Sequence, residues 1–221
     1  MNEIMSDAIG SKSSLQHLWA IIFSVALILG SCTFVPTTNS TKGAAPAKFM
    51  ISAANPLAAK AGMEMLKLGG SAVDATIAAQ MVLTLVEPQS SGIGGGAFLM
   101  HYDGANRKVE SYDGREKAPM SAKPEMFIEN GKRMKFLQAA ASGISVGVPG
   151  LVRMLELAHR EHGKLPWNRL FQPAIELAER GFSISHRLAN LLSREKILRQ
   201  TPSARDYFYT ADGKNKPVSS L

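Results

Sequence analysis

The chain holds a single cysteine, Cys32, in 221 residues, which excludes an internal disulfide framework. It also lacks a basic run. Lysine and arginine outnumber aspartate and glutamate 25 to 18. Yet Arg107, Lys108, Arg115, Lys117, Lys123, Lys132, Arg133 and Lys135 are interleaved with Glu110, Asp113, Glu116, Glu125 and Glu129. With aromatics at only 7%, nothing supplies the clustered, aromatic-laced basic face that nucleic acid requires, so no nucleic-acid partner is expected. No apolar run is long enough for a comfortable membrane span. There is no internal repeat. Neither H-E-x-x-H nor H-x-x-E-H occurs: His159-Arg160-Glu161-His162 has other spacing and reads as a solvated helix face, and no metal is assigned.

What is present is ordinary globular material, 45% hydrophobic and 19% charged, enough for one domain with a sizeable core. Residues 18–29 form an uncharged apolar run of signal-peptide length, ending in Leu29-Gly30-Ser31-Cys32. That ending resembles the bacterial lipobox, which implies export and a lipid on Cys32, placing the protein in the periplasm or on a membrane by a lipid anchor. A signal peptide with an incidental cysteine and an uncleaved anchor are the other readings, because Glu3 and Asp7 accompany Lys12 where a leader is normally positive. Residues 1–32 are therefore expected to be a signal peptide, residues 33–47, small, polar and proline-punctuated, a flexible tether, and residues 48–221 the folded domain.

Within that domain Asn55 can cap a helix that carries Pro56 in its first turn and repeats Leu57, Ala61, Met65 and Leu68, with Gly69-Gly70 as its stop. Ser71 with Asp74 three residues on forms a capping box for a second helix running to Val86, apolar almost all round and so buried. Residues 97–102 and 108–112 alternate as two strands across a turn at 103–106, predicting a hairpin. Ile144, Val146 and Val148 predict a further short strand. Helices are predicted at 151–162, 166–180 and 185–199, with Pro173 kinking or restarting the second, and no terminal element is evident after Thr201.

Gly92-Ile93-Gly94-Gly95-Gly96-Ala97 satisfies the letters of a dinucleotide fingerprint, but a helix precedes it and a strand follows, the reverse of the order that places a helix N-terminus on a pyrophosphate. No cofactor is expected. These glycines instead imply positive φ angles or close packing at a tight passage from helix to sheet. Ser90-Ser91 lacks the glycine two places earlier that a nucleophile elbow needs, so no serine nucleophile is assigned. Arg115 follows the second strand on a short loop. A guanidinium there can grip a carboxylate with two parallel hydrogen bonds or simply pair with Asp113 or Glu116.

The segments Asn55-Pro56-Leu57-Ala58, Gly70-Ser71-Ala72-Val73-Asp74-Ala75, Glu87 through Phe98 and Tyr112-Asp113-Gly114-Arg115-Glu116-Lys117-Ala118-Pro119, in this order, resemble the N-terminal part of the large subunit of γ-glutamyltranspeptidases, or glutathione hydrolases. The resemblance covers roughly residues 48–200. It implies an α+β fold, a partial αββα sandwich of the N-terminal nucleophile hydrolases. It also implies a zymogen that cuts itself in two, and a new N-terminal threonine on the small subunit that attacks the γ-glutamyl amide with its own amine as base. Glutathione or another γ-glutamyl compound would be the ligand, with Arg115 on its α-carboxylate.

No catalytic residue is assigned within this sequence, because the threonine and most of the site belong to the small subunit, the missing partner in the heterodimer. The expectation is a truncated large-subunit portion, inactive by itself and poorly soluble through uncovered core faces. An acylase or poly-γ-glutamate processing relative on the same scaffold, or a noncatalytic lipid-tethered module that binds γ-glutamyl groups, are the alternative functions.

Overall fold

Asn55 and Ser71 start the fold because each supplies a side-chain oxygen where a helix has unpaired N–H groups. The computed structural model describes residues 48–214 and 216. Asn55 Oδ1 accepts from the Leu57 N–H at 3.0 Å, opening α1 (Pro56–Lys67). Gly69, at φ +86°, ends that helix in a left-handed conformation open to glycine at no steric cost. Ser71 Oγ accepts from the Asp74 N–H and Asp74 Oδ2 accepts from the Ser71 N–H, completing the capping box of α2 (Ala72–Val86).

Helix α2 is the centre of the core formed by residues 49–221. Val73, Asp74, Ala75, Ile77, Ala78, Ala79, Met81, Val82 and Val86 are all buried along it. It packs against α1, against α4 (Leu151–His162) and against α5 (Gln172–Arg180). Fully burying one large side chain such as Ile77, Leu155 or Leu188 contributes roughly 1.5–3 kcal/mol. Glu87, at the C-terminal end of α2, is buried and accepts from Asn55 Nδ2 at 2.8 Å, tying the two helices together. Burial raises the Glu87 pKa, but hydrogen bonds from Asn55, Gln89 and Ser185 and the charge of Arg187 outweigh this, and the carboxyl lies below its ordinary range.

The hairpin forms as expected. β1 (Phe98–Asp103) and β2 (Lys108–Asp113) pair antiparallel, with His101 opposite Glu110 and Leu99 opposite Tyr112. Period-two alternation turns Leu99, His101, Glu110 and Tyr112 toward the helices, while Phe98, Met100, Tyr102 and Val109 on the other face are exposed. The described residues thus hold one helical layer and one sheet layer, an α+β portion of a sandwich.

Several boundaries differ from expectation. Ile144, Val146 and Val148 do not form a strand: a 3₁₀ turn spans Gly143–Ser145, and only Val148 bridges, to Lys117. Alternation alone makes no strand without a ladder partner, and all three side chains are exposed. A small hairpin, β3 (Ile128–Glu129) with β4 (Lys132–Arg133), and a short helix α3 (Phe136–Ala140) precede this turn. Pro173 restarts the chain, with a 3₁₀ helix at Trp167–Phe171 followed by α5. Helix α6 (His186–Arg194), capped by Ser185, is shorter than the 185–199 predicted. A helix unforeseen in the sequence, α7 (Pro202–Phe208), follows it. It is anchored by buried Tyr209, whose hydroxyl donates to the Leu192 carbonyl at 3.0 Å.

The chain divides into Met1–Lys48 and Phe49–Leu221, and the description above concerns the second unit. The expected signal peptide, Cys32 and the tether lie outside the described residues. Among the described residues no helix is long and apolar enough to cross a membrane.

Candidate functional site

The glycine loop is held on both sides by backbone. Ala97 and Gly114 exchange hydrogen bonds at 3.3 and 3.0 Å, extending the hairpin ladder, and the Gly95 carbonyl accepts from the N–H groups of Gly150 and Leu151 at the start of α4. The loop therefore joins the hairpin to a helix N-terminus whose orphan donors it satisfies. Close packing concentrates at Gly96. A Cβ there would lie 2.5 Å from the Gly114 carbonyl oxygen, 2.8 Å from the Glu116 nitrogen and 2.7 Å from Glu116 Oε2. Gly92 and Gly94 have neither a positive φ nor a neighbour within 4 Å of such a Cβ, so the expectation holds for only part of the run.

This contrast predicts opposite outcomes for one substitution. Gly96→Ala should lower stability by roughly 1–3 kcal/mol, because backbone atoms cannot give way as a flexible side chain can. Gly94→Ala should stay within about 0.5 kcal/mol of the parent. Urea midpoints of the two variants check this, and equal midpoints would remove the packing role of Gly96.

Arg115 lies on the loop this glycine supports. Its own N–H donates to Asp113 Oδ1 at 2.9 Å, so Asp113 shapes the backbone. The guanidinium meets Glu116 only through Nε, 3.5 Å from Oε2, and its side chain is 70% exposed. Among the described residues its terminal nitrogens make no hydrogen bond and stay open to a ligand. Two clefts flank the side chain. One of 460 Å³ is lined by Gly94, Arg115, Glu116, Phe127, Ser145 and Gly147, and one of 480 Å³ by Asp113, Arg115, Pro149 and Arg153 among others. Glu116 Oε2 is buried without a hydrogen-bond partner.

The serine pair is held by side chains: Ser90 Oγ accepts from Arg187 at 2.9 Å and Ser91 Oγ from Gln80 at 2.7 Å. The histidines of α4, by contrast, are not a solvated face. His159 Nε2 lies 3.5 Å from buried Asp74 Oδ1 and 2.9 Å from the Leu165 carbonyl oxygen. His162 stacks on His101 with centroids 3.9 Å apart, and its Nε2 lies 2.8 Å from Glu110 Oε2 and 2.7 Å from the Tyr112 hydroxyl. The Tyr112 hydroxyl also donates to Glu161 Oε2 at 2.5 Å, and burial followed by that carboxylate pushes its pKa up. These groupings join residues about 50 to 90 positions apart, which no local motif announces.

The family model for gamma-glutamyltranspeptidase matches residues 58–220. The chain belongs to that family. It is similar to the glutathione hydrolase proenzyme of Bacillus subtilis (strain 168), 44% identical over 162 residues that make up 72% of this chain and 27% of that relative. It is likewise similar to glutathione hydrolase 2 of Arabidopsis thaliana, 48% identical over 124 residues, 56% of this chain and 20% of the relative. Among solved structures, the gamma-glutamyltranspeptidase of Helicobacter pylori superposes with a TM-score of 0.74 at 30% identity, covering 80% of this chain and 51% of that one. The chain thus spans about a quarter of the length of the curated relatives it matches.

Proposed function

We propose that this chain is a large-subunit portion of a glutathione hydrolase that cleaves the γ-glutamyl amide and passes the γ-glutamyl group to water or an amino acid. The carrying observation is Arg115. It stands beside two clefts on a loop braced by Gly96 and Gly114, with its terminal nitrogens uncommitted among the described residues. A guanidinium so placed can bind the α-carboxylate of a γ-glutamyl group through two parallel hydrogen bonds. The amide attack belongs to a threonine in a partner small subunit, and acyl-enzyme formation there splits a difficult step into two easier ones. The exposed apolar face of the hairpin, Phe98, Met100, Tyr102 and Val109, supports this reading, because the partner's sheet would cover it. Export, with a lipid on Cys32, completes the reading and rests on the leader sequence alone.

A graft provides the test. Residues 58–220 of this chain replace the matching segment of the Bacillus subtilis glutathione hydrolase proenzyme, and glutathione hydrolysis by the purified chimera is measured. The expected result is a self-processed, two-chain product that releases glutamate from glutathione. A chimera that processes itself and folds, yet releases no glutamate, would overturn the assignment, and release of a different acyl group would point to the acylase alternative. The 221-residue chain by itself is expected to give no turnover.

A further inference from the structure

The inner face of the hairpin meets the last turn of α4 in a cluster that the γ-glutamyl reading does not use. Cross-strand pairing sets His101 against Glu110, and α4 brings His162 onto both. His101 Nδ1 lies 3.7 Å and His162 Nε2 2.8 Å from Glu110 Oε2, and the three donor atoms all lie within 4.8 Å of one another. His101 Nδ1 is buried and makes no hydrogen bond, although burial normally pairs such an atom, and the only nitrogens of the cluster that Glu110 Oε2 meets are those of the two imidazoles. An orphaned imidazole nitrogen facing a carboxylate oxygen and a second imidazole is what a cation would satisfy.

We propose that His101, Glu110 and His162 bind a first-row divalent cation of the Zn²⁺ class, clamping the hairpin to α4. Two imidazoles and one carboxylate suit Zn²⁺ and its neighbours rather than Mg²⁺ or Ca²⁺, which take oxygen ligands. Zn²⁺ holds imidazole nitrogen at about 2.0–2.1 Å and carboxylate oxygen at about 2.0–2.2 Å, so tetrahedral ligand atoms stand roughly 3.4 Å apart. The observed separations bracket this, and a turn of the stacked imidazoles brings both nitrogens onto one ion. Binding exchanges the contact between His162 Nε2 and Tyr112 for a metal bond, and Tyr112 keeps Glu161. Lys108 sits on the other oxygen of Glu110, at 2.7 Å. Its charge is opposed by Glu110 and by Glu161, whose Oε2 lies 4.0 Å from His162, leaving a net anionic surround. Water takes the fourth position. Glu110 lies within β2 and Arg115 beyond its end at Asp113, at most roughly 16 Å away, and the two residues share no contact, so the ion acts as a structural clamp.

The test uses the whole 221-residue chain, stripped with a chelator and titrated with ZnCl₂ by calorimetry and with CoCl₂ by visible absorption. The expected result is one equivalent bound, Co²⁺ ligand-field bands of tetrahedral intensity, and a higher melting temperature with Zn²⁺ than in chelator. His101→Gln and Glu110→Gln should each weaken binding at least tenfold. In the parent chain, ring-proton resonances of His101 and His162 should shift on Zn²⁺ addition while those of His159 and His186 stay in place, a readout that needs no variant to fold. Absence of stoichiometric binding would overturn the proposal, as would resonance shifts confined to other histidines or an affinity unchanged in both variants.

Discussion

Asp74→Ala lowers the unfolding free energy by about 3–5 kcal/mol, the largest stability loss expected of a polar substitution in this chain. Asp74 is completely buried, yet its Oδ2 accepts from the N–H groups of Ser71, Lys164 and Leu165 at 2.7, 2.9 and 3.2 Å, and its Oδ1 lies 3.5 Å from His159. Removal of the carboxylate leaves three part-buried backbone donors without their acceptor, at about 1–3 kcal/mol each before relaxation and less where water reaches them. It also breaks the capping box of α2. Asp74→Asn retains an acceptor oxygen and should lose only about 1–2 kcal/mol. Urea unfolding of the two variants, followed by circular dichroism, separates the effects. A loss below about 1 kcal/mol for Asp74→Ala, the worth of an ordinary helix cap, would show that Asp74 serves α2 alone and does not hold residues 164 and 165 to it.

Arg115→Lys, introduced into the chimera, lowers kcat/KM for glutathione about 10- to 100-fold. A charge-assisted hydrogen bond is worth about 1.5–3 kcal/mol, and each 1.4 kcal/mol is about tenfold. Lysine retains the charge but offers a point donor on a flexible stem, so it loses the second of two parallel bonds. Arg115→Ala removes both and should lose about a further tenfold. Because the α-carboxylate takes no part in bond cleavage, much of the change should fall on KM. The side chain is mostly exposed, so neither variant should change the melting temperature appreciably. Steady-state kinetics with glutathione and with an analogue whose α-carboxylate is amidated decide the role. If the parent enzyme does not discriminate between the two, or if Arg115→Lys is kinetically silent, Arg115 is a surface residue paired with Glu116.

The helix starts were legible because their signals are local. Asn55, Ser71 and Asp74 cap within three residues of themselves, Gly69 stops α1 by its φ, and the alternation at 98–113 needs only a turn at 103–106 to become a hairpin. Local rules failed where pairing was required. Residues 144–148 alternate as well as any strand does, but only Val148 finds a partner. Helix α7 has no comparable local signal: its stabilising contact, Tyr209 on the Leu192 carbonyl, reaches across 17 residues.

The candidate site divides in the same way. Family membership and the candidacy of Arg115 were written in short runs of residues, since a glycine run and the loop that follows a strand end are local objects. The sequence also excluded an internal disulfide and gave no reason to expect a nucleic-acid partner, because one cysteine and interleaved charges are matters of composition. Tertiary structure alone decided what the buried polar groups do. His162 has Arg160 and Glu161 as sequence neighbours and reads as solvent-facing, yet packing turns it onto His101 and Glu110. Asp74 reads as a helix cap and becomes the acceptor that anchors residues 90 and 91 positions away. Burial and long-range contact come from the way α2, α4 and the hairpin close on one another, and periodicity along the chain carries no record of which partner that closure supplies.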